Sequence, residues 1–156
     1  MVDRELGAKE MMTLTEFANQ LEASIATIKP RLEIGLDKVG TLAQTLAAEY
    51  PGHYQPGWAP LAASTLRDKE KKGFPVPSPL LRTGEMAGSY RKELVPEALA
   101  VVVGSPEKVA LWQEMGTSRI PPRPVLSLAM RNAIPYAKEV FAGIAVAVLS
   151  GKALFK

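Results

Sequence analysis

Apolar residues recur along the first third of the chain at Leu14, Phe17, Leu21, Ile25, Ile28, Leu32, Leu36, Val39, Leu42, Leu46 and Tyr50, and every step is three or four. That spacing returns each side chain to one face of a helix, so it predicts a helix from Thr13 to Tyr50. Thr13-Leu14-Thr15-Glu16 fits a capping box, with Thr13 as N-cap and Glu16 three residues on. Pro30 interrupts the stripe, yet the phase is kept across it, which predicts one kinked helix rather than two unrelated ones. At ~1.5 Å per residue the span is roughly 55 Å, against about 40 Å for a compact domain of this length. Such a helix either overhangs its own domain or breaks at Pro30 and folds back. If it overhangs, its apolar stripe needs another subunit to cover it.

Pro51-Gly52 ends this helix. Residues 51–79 come next as an extended proline-rich arm, with prolines at 51, 56, 60, 75, 77 and 79, longer than compact domains usually carry without a function. Within it, residues 62–72 read as a short helix capped by Ser64 or Thr65, and the charged run Arg67 to Lys72 as a solvated face. Glu85 to Leu94, a turn at Val95-Pro96-Glu97, and the β-branched run Ala98 to Val103 predict an antiparallel hairpin, its first strand the more exposed and its second buried. Pro106 opens a short helix through Met115 with Ser105 as N-cap. A last stripe, Leu126, Met130, Ile134, Ala137, Phe141, Ile144 and Val148, predicts a C-terminal helix kinked or restarted at Pro135 and ended by Gly151. The reading is a single α+β domain over residues 1–156. It has a loose leader at 1–12, a long kinked N-terminal helix, an extended arm, a small antiparallel β-sheet and a C-terminal helix.

Composition narrows the chemistry. The 156 residues are 47% hydrophobic and 22% charged, as in folded single-core proteins. A net charge of +3 and a pI of about 9.2 are compatible with nearby nucleic acid but too weak to indicate a binder alone. The absence of cysteine excludes disulfides and thiolate chemistry. His53 is the one histidine, and in its Pro/Gly/Tyr surroundings it reads as an exposed loop residue. Met1 to Glu10 has no apolar signal core, and Val140 to Leu149 is ten residues long behind Lys138-Glu139, so the chain is expected to be soluble. Gly151-Lys152 lacks the spacing of a phosphate loop. Ser89-Tyr90-Arg91-Lys92 has Ser-x-x-Lys spacing but falls in a predicted strand, where i and i+3 face opposite ways. Glu85, Glu93, Glu97, Glu107 and Glu114 show no catalytic spacing and read as charged surface. No enzymatic activity, metal or cofactor is expected.

Leu111 to Leu126 is the densest stretch: a tryptophan, an acid, a glycine, two arginines and three prolines in sixteen residues. Gly116 stands where a short helix stops at positive φ, and Pro121, Pro122 and Pro124 stiffen the loop beyond it. Trp112 is expected in the core. Arg119 and Arg123 are expected in salt bridges, within the domain or across a subunit boundary. Trp58 is either a core anchor or, on its arm, a residue that docks into a neighbour; the second is favoured.

Five segments in order carry a resemblance. They are Trp58-Ala59-Pro60-Leu61 with Ser64-Thr65 and the lysines after it, Leu80-Leu81-Arg82-Thr83-Gly84-Glu85-Met86-Ala87-Gly88-Ser89, Val103-Gly104-Ser105, Val109 to Thr117, and Ile120-Pro121-Pro122-Arg123-Pro124-Val125-Leu126. This order is similar to the tailed-phage virion-morphogenesis and neck (tail-completion) proteins. There a Trp-x-Pro-Leu segment precedes Leu-x-x-Thr/Ser-Gly, an acid-Phe-Gly segment and a Pro-x-Arg-Pro-Phe-Leu ending. Met115 and Val125 replace the family's phenylalanines, and Leu111-Trp112 stands where aromatic or histidine variants are common; these keep the apolar character. The resemblance covers Trp58 to Leu126. It implies a structural virion protein of the head–tail junction, made in the bacterial cytoplasm. It also implies a six-fold ring of self-associated copies around the DNA channel, between the head-closure or connector proteins and the tail-terminator or tail-tube proteins. Its implied structural and interface residues here are Trp58, Pro60, Leu61, Thr83, Gly84, Trp112, Glu114, Gly116, Arg119, Pro121, Arg123 and Pro124. The alternative, suggested by the pI and the Arg67 to Lys72 run, is a small basic nucleic-acid-binding regulatory protein acting through Lys69, Lys71 and Lys72.

Overall fold

The computed structural model describes residues 13–150; the expected leader at 1–12 and the end signal at Gly151 lie outside them. The elements in order are α1 (Leu14–Glu49), α2 (Ala63–Lys71), α3 (Glu85–Gly88), β1 (Arg91–Val95), β2 (Ala100–Gly104), α4 (Lys108–Met115) and α5 (Leu126–Ser150). The α+β reading holds: a long N-terminal helix, one two-stranded antiparallel sheet and a C-terminal helix.

Helix α1 runs unbroken past Pro30, and its capping box forms as the sequence predicts. The Thr13 hydroxyl accepts from Glu16 N–H at 3.2 Å while the Glu16 carboxylate accepts from Thr13 N–H at 2.7 Å. Pro30 removes the donor that would serve the Ala26 carbonyl, but the helix there is exposed, so water can take its place. Apart from Ser24, burial lies beyond it, at Gly35, Val39, Gly40, Ala43 and Ala47. These small residues, rather than the flanking leucines of the predicted stripe, form the contact line. A close helix partner requires this: a Cβ at Gly35 would lie 2.7 Å from Ile144 Cδ1.

That partner is α5, lying antiparallel to α1. Ala47 shares a cluster with Leu128 and Ala129, Val39 and Ala43 pack with Ala133, and Gly35 meets Ile144. Asn132 donates to the Tyr50 hydroxyl at 2.7 Å. Extending this register brings the last turn of α5 level with about residue 28 of α1. The first fifteen residues of α1, roughly 22 Å of helix at ~1.5 Å each, therefore pass beyond it. Of α1 residues before Arg31 only Ser24 is buried, and Leu14 (88% exposed), Phe17, Ile25 and Ile28 are uncovered. Helix α5 spans the predicted stripe in 25 residues and is continuous through Pro135, where a kink or restart was expected. It is long and apolar enough to cross a membrane by length and composition, with mean hydropathy 1.4 and 17% of that window buried. The core helix of a soluble protein passes the same test of length and composition.

The hairpin lies against α1. β1 and β2 pair in register from Arg91 opposite Gly104 to Val95 opposite Ala100. Lys92 Nζ reaches Asp37 and Thr41 of α1, and Gln44 Nε2 donates to the Tyr90 carbonyl at 3.0 Å. Three expectations change here. Glu85 to Gly88 is a helical turn, begun by Gly84 at φ 87°, rather than the start of a strand. β2 is half-buried, with Val102 55% exposed, because two strands cover only one of their faces. The cap of α4 is Glu107, while the Ser105 hydroxyl accepts from Glu107 N–H one step earlier.

Candidate interaction site

Residues 51–79 do not stand away from the body as an arm. Trp58 is 8% exposed and sits in the main core cluster with Tyr50, Met86, Tyr90 and Val125. Its indole N–H donates to the Pro124 carbonyl at 3.3 Å. The favoured reading of Trp58 as a docking residue is therefore corrected: a large aromatic with one donor finds both a core and a carbonyl within its own chain. The N-cap of α2 is Ala62, which offers no side-chain cap, so neither Ser64 nor Thr65 serves. Pro79 is fully buried.

The buried cations of this region are the least expected feature. Lys69, read as part of a solvated run, is 2% exposed. Its ammonium donates to the carbonyls of Ser78 and, at 2.7 Å, Leu81. Burial, with a smaller contribution from Arg82, pushes its pKa down. Asp68 bridges Lys72 at 2.7 Å and Arg82 at 2.9 Å, and these partners, Lys72 first, lower its pKa. Asp68, Lys69 and Lys72, half of the six charges of this run, are thus used within the fold.

Arg123, expected in a salt bridge, is 5% exposed and among the described residues pairs with no carboxylate. Its Nε and Nη2 donate to the Ala59 carbonyl at 3.1 and 2.9 Å, and Nη2 also to the Pro60 carbonyl at 3.1 Å. Guanidinium can be held by carbonyl dipoles alone because its charge is delocalised and weakly hydrated. Arg123 and Trp58 together bind residues 58–60 to the strut at 121–125. Arg119 is exposed, and among the described residues it makes no ion pair and its guanidinium no hydrogen bond.

Glu114 is not the surface charge expected of it. Its carboxylate accepts from Val125 N–H at 2.7 Å, Leu126 N–H at 2.8 Å and Ser127 N–H at 2.8 Å, which are orphan donors at the start of α5. Desolvation raises its pKa, but the hydrogen bonds from Ser127, Leu126 and Val125 outweigh it, and the net shift is downward. Tyr90, 2% exposed, is pushed up to about 12 by burial and by the nearby Glu114 charge. Gly116 ends α4 at φ 73°, ψ 175°, as its position predicts. Between it and Pro122 the chain makes a tight loop closed by Thr117 N–H to the Ile120 carbonyl at 2.8 Å, and Arg123 N–H returns to the Gln113 carbonyl.

Trp112 is the second reversal. Placed in the core by expectation, it is 48% exposed, beside Leu111 (61%) and Met115 (73%). Only Ala110 of α4 is buried. An eight-residue helix held at both ends by the cap and the strut buries one narrow edge, and the rest of its apolar surface faces outward. Thr83, Pro60 and Pro121 are also exposed and Leu61 half-buried, and His53 is exposed as expected. The Ser89 hydroxyl is buried, donating to the Met86 carbonyl and meeting Ser105 Oγ at 2.6 Å, so Ser-x-x-Lys spacing forms no reactive pair. Among the described residues no group of three or more His, Asp or Glu could hold a metal. No protein-family model, curated protein or solved structure matches this chain.

Proposed function

We propose that the chain is a non-enzymatic structural subunit of the head–tail junction of a tailed phage. It assembles as a ring, six-fold by the resemblance of residues 58–126, around the DNA channel between connector and tail. The observation that carries this reading is a pair of uncovered apolar surfaces at opposite ends of α1. One is the overhanging half of α1, with Phe17, Ile25 and Ile28; the other is the outer face of α4, with Leu111, Trp112 and Met115. Two unlike patches on one chain suit a head-to-tail contact, which closes into a ring when the rotation allows. Exposed tryptophan is a favoured interface anchor. The interface thus moves from Trp58 and the strut, where the sequence put it, to Trp112. The nucleic-acid alternative keeps only one of its three lysines as an open cation: Lys69 is buried and Lys72 is bound to Asp68, while Lys71 is exposed.

The test uses two single substitutions, Trp112→Ser and Phe17→Ser. Both sites are exposed, so each variant should keep its melting temperature within about 2 °C. Alone, each should lose higher association in sedimentation velocity. Mixed in equal amounts they should form dimers, because one good α1 face then meets one good α4 face. Association unchanged in both variants would remove the basis for the reading.

A further inference from the structure

Beneath the strut lies a cleft of about 420 Å³ between α2, the 80–82 segment, α4 and the 119–123 segment, within the size range of ligand-binding pockets. Its apolar wall includes Leu61, Leu81, Met86 and Ile120. Among the described residues four cations also line it, Lys69, Arg82, Arg119 and Arg123, and no carboxylate does. Three of the four are committed, to carbonyls or to Asp68; Arg119 is not. Gln113 Oε1, on the same wall, is buried with no hydrogen-bond partner, a state that native structures rarely leave unresolved. Leu80, also lining the cleft, is held at φ 59°. A left-handed backbone is unfavourable for leucine, and such strain gathers where shape serves a ligand.

We propose that this cleft binds an acidic peptide segment of a partner protein. An apolar side chain of the peptide fills the Leu61–Leu81–Met86–Ile120 wall. An adjacent carboxylate pairs with Arg119, and the Gln113 amide turns to bring its Oε1, enclosed in the unliganded chain, to a peptide N–H. The positive lining selects against basic segments, since a fifth cation would be desolvated beside the four already there. The site is separate from the two ring surfaces and does not depend on their closing: a monomer presents it as fully as a ring does.

The full chain, isotope-labelled, is titrated with an acetylated, amidated hexapeptide alternating leucine and glutamate. Its leucine–lysine counterpart and free acetate are run alongside. Saturable shifts are expected at the Gln113 side-chain amide and Arg119 Nε with the acidic peptide, and none with the other two. Arg119→Ala should weaken binding about tenfold with the melting temperature unchanged. Gln113→Leu should weaken it severalfold. Equal binding of the lysine peptide, indifference to Arg119→Ala, shifts centred elsewhere, or no saturation at millimolar peptide would each overturn the assignment. Failure here leaves sedimentation of the ring unaffected, and a chain that never forms rings can still pass.

Discussion

Replacing Gly116 with alanine will destabilise the protein by about 3 kcal/mol, lowering the melting temperature by roughly 6–12 °C for a chain of this size. At φ 73°, ψ 175° the backbone is in a region open essentially to glycine. A Cβ there would also lie 2.9 Å from Pro122 N and 3.0 Å from the Ile120 carbonyl oxygen. Both are backbone atoms, fixed by the proline pair and by the Thr117–Ile120 hydrogen bond, so neither can swing aside. Gly73→Ala is the control: φ is 70° but nothing lies within 4 Å, and the expected loss is about 1–2 kcal/mol. Thermal unfolding of both variants separates the contact from the conformation. Equal losses would show that the close approach contributes nothing.

Glu114→Ala is expected to cost about 3 kcal/mol, above a single N-cap because three N–H donors of α5 lose a charged acceptor together. Its pH dependence has a definite sign. The folded pKa lies below the ordinary 4.5, so the unfolded chain binds the proton more readily. The stabilisation is fully present above pH ~4.5 and fades as pH falls through the lowered folded value. The stability difference between the natural chain and Glu114→Gln should therefore shrink as pH drops below ~4.5 in denaturant titrations. A constant difference from pH 7 to pH 3 would mean that the carboxylate charge is not what holds the end of α5.

What was legible in the sequence was local. The capping box at Thr13 and Glu16, the helical stripe through Pro30, the hairpin, and the stop at Gly116 all depend on residues within a turn or two of each other. What was not legible depended on distant partners. The two tryptophans exchanged roles because burial of an aromatic is decided by what folds over it. Trp58, in a proline-rich loop, is met by Tyr50, Val125 and the Pro124 carbonyl. Trp112, on a regular helix, is met by little. Lys69 looked solvent-bound and Arg123 looked set for a salt bridge because nothing in sequence shows the carbonyls of Leu81 and Ala59 turned toward them. Glu114 caps a helix that begins twelve residues later, a spacing that no capping motif contains. Length alone left α1 either to overhang or to break at Pro30 and fold back; the helix is continuous, and Phe17, Ile25 and Ile28 stay exposed.

Whether the chain closes into a ring is decided by single-particle imaging of the purified protein, with native mass spectrometry on the same sample. The expected particle is a closed ring of one stoichiometry, six by the resemblance, in which the outer face of α4 covers the overhanging half of α1 on the next subunit. The same ring would be found at the head–tail junction of virions that carry the chain. A protein that stays monomeric at every concentration and is absent from such junctions would refute the proposal.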